Sequence, residues 1–262
     1  MADKAKDDYF EEKHSIWDSI GGLISFSTII PLNVHTTIND MAKLTWFWPF
    51  ISGFIGFIGF LIGYFLFNIV SLPALVCGAI LYGFFLLING FHHLDGLIDF
   101  GDGVMVHGSP EKKIAVMRDS KIGTGGIGLF FIVAITTVAV FSQLFTLKIL
   151  LAFIILEMSA KFSLLTVAVS STPGEDGTGN YFIKYITTKK YLIAILIGAI
   201  ISFLLLSYVG VFGLIGGLLA GAIVSKISDR NFKMATGDVL GASHEIGRLF
   251  ASLFILIAFI LI

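Results

Sequence analysis

Ionisable side chains cluster in one segment of an otherwise apolar chain. This segment, residues 89–123, reads NGFHHLDGLIDFGDGVMVHGSPEKKIAVMRDSKIG, and apolar stretches long enough to cross a bilayer lie on both sides of it. Four of the chain's eighteen acidic residues are aspartates of this segment, at Asp95, Asp99, Asp102 and Asp119. Ionisable groups beside a membrane span are energetically expensive and are usually functional. We therefore predict that 89–123 is the catalytic segment.

Three of these aspartates share one face if the segment continues the preceding span as a helix. At about 100° per residue, Asp99 lies about 40° from Asp95, and Asp102 lies about 20° from Asp95 in the other direction. His92 falls about 60° from Asp95, near the same face. Such a helix, if it continues through Asp102, would carry the three carboxylates and His92 together at the membrane surface.

Carboxylates on one face predict a magnesium site. Carboxylate oxygens, together with waters and substrate phosphates, are the ligands that Mg²⁺ prefers. Without a cation, three adjacent carboxylates would repel one another and raise each other's pKa values. Downstream, Arg118 and Lys121 can neutralise phosphate oxygens. Acids for a metal and bases for phosphate are typical of phosphoryl or nucleotidyl transfer, with Mg²⁺ bound by Asp95, Asp99 and Asp102.

A second pair of acids lies near the C-terminus. Asp238 and Glu245 are seven residues apart, so they return to within about 20° of each other on a helix. Asp238 has an alternative role as a helix N-cap. Glu245 has an alternative role as the ion-pair partner of Arg248, one turn further on.

Glu157 and Lys161 are ionisable residues inside a predicted span. Their four-residue spacing allows them to pair on one helix face, and a buried ion pair is one interpretation. The other is that they reach into a substrate cavity from below. His93 points away from the acidic face and is interpreted as structural, and His244 is interpreted as a loop or packing histidine.

The composition predicts an all-α fold, a polytopic integral membrane helical bundle. The chain is 56% hydrophobic and 13% charged, whereas soluble domains average about 25% charged residues. We predict one integral membrane domain over 1–262, beginning with a polar tail at 1–14, with the lipid bilayer as its surroundings. The net charge of −1 gives no indication of nucleic-acid binding. An oligomer is compatible with the sequence.

About seven transmembrane helices are predicted, preceded by an interfacial or re-entrant helix within 15–32 that Asp18 and Pro31 interrupt. A polar connection follows at 33–45. The spans are placed at 46–67, 70–91, 125–145, 148–169, 191–207, 210–225 and 246–262. Polar loops are predicted at 170–190 and 226–245, and a tight turn at Gly210 joins the fifth and sixth spans.

The distribution of Lys and Arg predicts the orientation. With seven spans, fifteen of the seventeen basic residues lie on the side that carries the N-terminus and the loops after spans two, four and six. The positive-inside rule makes this side cytoplasmic and puts the C-terminus outside, in a multi-pass protein of the cell membrane. The segment 89–123 and the second motif loop, 226–245, would then form one composite site.

Three motifs together resemble the cobalamin synthase family, the adenosylcobinamide-GDP ribazoletransferases. They are HHLDGLIDFGDG, MRDSKIGTGGIG and TGDVLGASHE, and the similarity extends from STIIPL near residue 30 to the final span. The resemblance implies a transferase that joins adenosylcobinamide-GDP to α-ribazole or its 5′-phosphate and releases GMP. It implies Mg²⁺ as cofactor and a role in assembling the nucleotide loop of cobalamin.

The resemblance also assigns residues. It makes Asp95, Asp99 and Asp102 the metal-binding acids, and it places further site residues at Asp119, His92, Arg118, Lys121, Lys161, Asp238 and Glu245. The family often has an arginine in the fourth long span, where this chain has Lys161. Lysine lacks the planar fork that binds phosphate in a bidentate manner.

Two other classes of protein fit parts of the pattern. A lipid-type CDP-alcohol phosphotransferase or a membrane prenyltransferase also uses acid-rich, Mg²⁺-binding membrane helices. The first normally carries DG followed by AR, whereas Asp95-Gly96 is followed by Leu97-Ile98-Asp99. A transporter would line a path across several spans with polar groups, and here the acids gather on one face.

Overall fold

The computed structural model describes residues 15–174 and 177–261, and within them the fold is all-α. The predicted polar tail at 1–14 lies outside these residues. The α-helices are α1 (Ile16–Ser27), α2 (Ile38–Lys43), α3 (Trp48–Tyr64), α4 (Ala74–Ile88), α5 (His92–Met105), α6 (Pro110–Met117), α7 (Thr124–Thr146), α8 (Ala152–Ser170), α9 (Gly179–Tyr185), α10 (Thr188–Phe232) and α11 (Gly237–Leu261).

Five helical stretches are long and apolar enough to cross a membrane. They are α7, α8, α10, α11 and a stretch that contains α3 and its flanking helical turns, Thr45–Ile69. These helices confirm a polytopic membrane protein. The helix α8 is the centre of the bundle. Of an apolar stretch of 18 residues in this helix, 89% is buried, against 28% of the corresponding stretch in α7.

The 45-residue helix α10 contains a reversal and supplies two spans. Leu206 and Ser207 leave helical backbone angles. Gly210 then lies so close to the Ser202 carbonyl that no side chain would fit between them. The predicted helices at 191–207 and 210–225 are therefore both present, and the turn between them is at Leu206–Ser207, just before the predicted position.

The direction of each half of α10 follows from its contacts with α8. In the first half, Tyr191 contacts Thr166 through their hydroxyls (2.7 Å), and Gly198 further along contacts Phe162, so the two helices are antiparallel. In the second half, a Cβ on Gly221 would lie 3.0 Å from the Ser163 Cα, and Gly213 packs against Ile155. This half is therefore parallel to α8, which confirms the reversal.

The second predicted span is shorter than expected and does not continue into the acidic segment. The 15 residues of α4 rise about 22 Å, less than the roughly 30 Å of a hydrocarbon core. Gly90 and Phe91 then adopt left-handed backbone angles, each with φ of 60°, and α5 leaves at 93° to α4. The condition of one continuous helix through Asp102 is therefore not met, because this turn breaks the helix and directs α5 across the end of α4.

Three of the short helices lie before or between the spans. The helix α1 begins at a capping box between Ser15 and Asp18, and its 12 residues are too few to span, in agreement with the prediction for 15–32. The polar connection predicted at 33–45 contains the short helix α2, which Thr37 caps. The predicted loop at 170–190 likewise contains α9.

Glycines allow α3 and α8 to approach closely. A Cβ on Gly56 would lie 2.8 Å from the Ile154 Cα and in contact with the Phe153 carbonyl. Without a hydrophobic force between helices in lipid, such close packing is a main source of their association.

We expect Gly56→Ala to destabilise the bundle, because the added methyl group meets backbone atoms that cannot move aside. Overpacking of this kind costs about 1–3 kcal/mol. Gly83→Ala on α4 is the matched control, since nothing lies within 4 Å of a Cβ at Gly83. Thermal unfolding in detergent should show a lower midpoint for Gly56→Ala alone. Equal midpoints for the two variants would contradict the close packing.

Candidate active site

Helices α5, α9 and α11 meet α1 and α3 around a cavity of about 300 Å³. Polar lining comes from α5 and α11, and aromatic rings form much of the remainder. The lining includes the polar side chains of His92, His93, Asp95 and Asp238 and the aromatic rings of Phe26, Trp48 and Phe182. The cavity therefore joins the catalytic segment to a predicted loop near the C-terminus.

Glycines bring α5 against the beginning of α11. A Cβ on Gly96 would lie 2.8 Å from the Asp238 carbonyl oxygen, and a Cβ on Gly241 would lie 3.2 Å from the His93 Cα. Only glycine at both positions permits this distance between the two backbones. As a result, Asp95 and Asp238 line the same cavity, although 143 residues separate them in the chain.

The loop before α9 is held against the same end of α11. The Gly174 N–H donates to the Ala235 carbonyl (3.0 Å), and the Ala235 N–H donates to the Thr172 carbonyl (2.8 Å). Gly179 lies against Gly237, where a Cβ would be 2.8 Å from the Gly237 Cα. The segments predicted as loops at 170–190 and 226–245 therefore lie together beside the predicted catalytic segment. The prediction of a loop at 226–245 is wrong, because α10 and α11 cover all of it except 233–236.

The carboxylates around Asp99 form no ion pair within the described residues, and the guanidinium of Arg118 acts on Asp238 only from a greater distance. Burial and, after it, the neighbouring charges of Asp95, Asp238 and Asp102 together raise the pKa of Asp99 to about 7. None of these four groups forms an ion pair in the described part of the chain. Oxygen donors that repel one another in this way fit a hard divalent cation such as Mg²⁺.

Asp102 is also an anchor for α7. Its carboxylate accepts hydrogen bonds from the Gly123 N–H (2.7 Å) and the Gly126 N–H (2.8 Å), at the N-terminus of that helix. Hydrogen bonds from backbone amides at a helix N-terminus to a carboxylate are strong. Its role as a metal ligand stays a prediction, and the structure adds Asp238 to the acids near Asp99.

The charged residues that follow α6, at 118–121, line two different pockets. Arg118 lines a pocket of about 260 Å³ that adjoins the first cavity and shares Asp238 with it. Asp119 and Lys121 instead line a separate pocket of about 270 Å³ beside Asp102. The structure therefore brings Arg118 to Asp238, but it does not bring Asp119 or Lys121 to the aromatic cavity.

Glu245 lies inside the bundle, in a network of fully buried charges. Arg248 donates to the carboxylates of both Glu157 and Glu245, and its Nη2 lies 3.0 Å from His244 Nε2. The ion pair proposed between Glu157 and Lys161 is wrong, because Arg248 occupies Glu157. The alternative interpretation of Glu245 as the partner of Arg248 is the one observed.

Lys161 lies behind the cavity wall and does not line it. Its Nζ is 2.9 Å from His93 Nε2 and 4.4 Å from the centre of the Trp48 ring. Both of these neighbours line the cavity. Lys161 can therefore act on a bound molecule only through them, which limits its predicted substrate-binding role to positioning.

The two histidines interpreted as structural connect the cavity to the network. The rings of His93 and His244 lie 4.0 Å apart, and His244 contacts Arg248. The spacing that groups the aspartates on one face of α5 did not indicate a site role for His93, because His93 points to the opposite face of that helix. The sequence signal for a buried charge network was Arg248, an arginine inside a predicted span and one turn after the third motif.

The fold and site define a polytopic, all-α membrane protein with a carboxylate-rich, phosphate-compatible site at one end of its bundle. The chain matches the family described as cobalamin-5-phosphate synthase over residues 19–256. It belongs to this family, which confirms the resemblance seen in the three motifs.

Several curated relatives carry the name adenosylcobinamide-GDP ribazoletransferase. The protein of Methanosarcina barkeri is 34% identical, over 86% of this chain and 87% of its own length. That of Methanococcoides burtonii is 32% identical over 89% of both chains. That of Pyrococcus furiosus is 33% identical, over 86% of this chain and 94% of its own. No solved structure matches.

We expect Arg248→Met to unfold or strongly destabilise the protein, because it would leave Glu157 and Glu245 buried without a cation. Breaking a buried ion pair in this way costs about 3–5 kcal/mol. Arg230→Met, at the exposed end of α10, is the matched control and should change stability by less than about 0.5 kcal/mol. Unfolding in mixed micelles measures both. Wild-type stability in Arg248→Met would show that the network carries no stabilising charge.

Proposed function

We propose that this protein carries out the reaction named in its curated relatives, the transfer of α-ribazole or its 5′-phosphate to adenosylcobinamide-GDP with release of GMP. The family match over residues 19–256 carries the proposal. The contact of the first and third motifs around one cavity supports it. Family membership disfavours the CDP-alcohol phosphotransferase, prenyltransferase and transporter alternatives.

The reaction is a substitution at phosphorus. A ribose hydroxyl of the ribazole forms a bond to the phosphorus attached to cobinamide, and the bond from that phosphorus to the oxygen of GMP breaks. The hydroxyl proton passes to a base, and GMP leaves with its phosphate oxygens charged. Catalysis therefore requires a proton acceptor near the hydroxyl and positive charge near the diphosphate.

Asp95, Asp99 and Asp102 remain our proposed Mg²⁺ ligands, and Asp238 is added as a fourth candidate. The raised pKa of Asp99 supports a site whose carboxylates need a cation. Bound there, Mg²⁺ would withdraw charge from the diphosphate and stabilise the departing GMP. Asp95 and Asp238 also line the cavity, so a proton acceptor for the hydroxyl lies on its wall.

The remaining site residues receive positioning roles. Arg118, beside Asp238, is proposed to hold phosphate oxygens of adenosylcobinamide-GDP. His92 lies on the wall of the cavity and is proposed to contact substrate there. Lys161 and Glu245 are proposed to hold His93 and the buried network in place. Asp119 and Lys121 are proposed to support the loop that leads into α7, since the Lys121 N–H donates to Asp119 (3.2 Å).

We place the protein in the cell membrane with the active-site face in the cytoplasm. The basic residues on that side support this orientation through the positive-inside rule. Arg248 does not contribute to this argument, because it is buried inside the bundle. With seven apolar helical segments, the C-terminal end of α11 would lie outside.

The experiment that tests the activity is GMP release by the purified protein. With adenosylcobinamide-GDP, α-ribazole and Mg²⁺, we expect stoichiometric GMP and the joined corrinoid product. Asp95→Asn should lower kcat by at least about a hundredfold, because it removes a charge at the reacting groups. Asp229→Asn, an exposed acid at the end of α10, should keep wild-type kcat. Folded protein that binds Mg²⁺ but releases no GMP would refute the proposed substrates.

Mg²⁺ binding should weaken as the pH falls through about 7. The pKa of Asp99 is raised to about 7, so this carboxyl group is mostly protonated below that pH. It must then lose its proton before it can bind a cation. Calorimetric titration with Mg²⁺ should give a Kd about tenfold higher at pH 6 than at pH 8. Asp99→Asn should bind more weakly and lose this pH dependence. A wild-type Kd that is the same at both pH values would exclude Asp99 as a ligand.

A further inference from the structure

We infer that the aromatic cavity binds the flat heterocyclic base of the ribazole substrate, with its ribose directed towards Asp95 and Asp238. The inference rests on the proposed function, and it assigns the two substrates to two adjoining pockets. The ribazole takes the aromatic cavity, and the diphosphate of the other substrate takes the pocket at Arg118.

Three aromatic rings from three helices form one wall of the cavity. The ring centres of Trp48 and Phe182 lie 4.7 Å apart, those of Phe26 and Phe182 5.0 Å, and those of Phe26 and Trp48 6.2 Å. The Phe26 ring is partly accessible, whereas the other two are held almost completely buried. Rigid aromatic walls of this kind favour a flat aromatic ligand, which they contact over a large area.

The size of the cavity selects between the two substrates. Its volume of about 300 Å³ is at the lower end of the range for small-molecule pockets, about 300–1,000 Å³. A nucleoside-sized molecule fits this space. A corrin macrocycle with its side chains does not fit, so the cobinamide part of the second substrate must lie outside the cavity.

The chemistry of the wall favours a benzimidazole base over guanine. Guanine carries several donors and acceptors on its edge, and burying them without partners is costly. The apolar part of the lining offers Leu164 and Leu240 besides the three rings. The Ser27 hydroxyl donates to the Leu23 carbonyl (2.7 Å). A benzimidazole nucleoside has one unsubstituted ring nitrogen, so it loses little on entering such a site.

The two pockets meet at Asp238, one of the residues proposed for catalysis. They share Thr178, Gly179, Gly237 and Asp238. Arg118 lies on the side away from the aromatic wall, and Asp95 lies on the side of the aromatic cavity. A ribose extending from the base towards Asp238 would therefore face a diphosphate held by Arg118, as the substitution at phosphorus requires.

Tryptophan fluorescence tests this assignment without any turnover. The chain has three tryptophans, and Trp17→Phe with Trp46→Phe leaves Trp48 in the cavity wall as the sole reporter. In detergent, without Mg²⁺ and without corrinoid, α-ribazole should change the Trp48 emission saturably, and GMP should not. A response to GMP with none to α-ribazole would assign the cavity to guanine and overturn the inference. No response to either ligand would also overturn it.

A matched pair of variants tests the wall itself. Phe182→Leu should weaken α-ribazole binding by about two- to tenfold, because it removes an aromatic contact, and should leave the KM for adenosylcobinamide-GDP unchanged. Phe145→Leu, equally buried but packed against Phe153 and Phe67 elsewhere in the bundle, should bind α-ribazole as the wild type does. Equal weakening in both variants would overturn the inference.

The two hypotheses fail separately. If folded protein releases no GMP but α-ribazole still changes the Trp48 emission, the proposed function fails and the cavity assignment stands. If GMP is released normally but α-ribazole neither changes the emission nor binds more weakly to Phe182→Leu, the cavity assignment fails alone.

Discussion

The turn after α4 is the constraint on which the site depends. Over the seven residues from Asp95 to Asp102, a helix rises about 10 Å, roughly a third of the hydrocarbon thickness. On a helix that continued α4, the three carboxylates would lie at different depths. Because α5 leaves α4 at 93°, the acids are instead arranged nearly perpendicular to the axis of that helix, across its end. They can then act on one substrate from one side.

The same turn allows α5 to use two faces. Its acidic face carries Asp95 and Asp99, and its inner face packs His93 against α11 at Gly241. Asp102 holds the first turn of α7 through two backbone amides. A movement of α5 would therefore change the acids, the cavity wall and the start of a spanning helix together. This coupling explains why glycines, rather than larger residues, occupy the contacts at Gly96 and Gly126.

Much of this arrangement could be predicted from the sequence, and the rest depends on contacts between distant residues. Apolar length identified the spans, and the motifs identified the family. The direction of α5 could not be predicted, since the apolar pattern continues through the turn at Gly90 and Phe91. Local spacing suggested a partner for Glu157 four residues away, whereas its observed partner, Arg248, is 91 residues away. Periodicity reports which face a residue occupies, but it does not report what another helix places against that face.

The buried network connects this geometry to the interior of the bundle. In lipid, helices gain little from apolar contact with one another, so polar contacts and close packing set their register. Arg248 on α11 joins Glu157 on α8, and Lys161 on α8 joins His93 on α5 and the Trp48 ring on α3. Four helices are thereby fixed directly beneath the cavity, so its floor is held by electrostatic contacts, while its aromatic wall is held by packing.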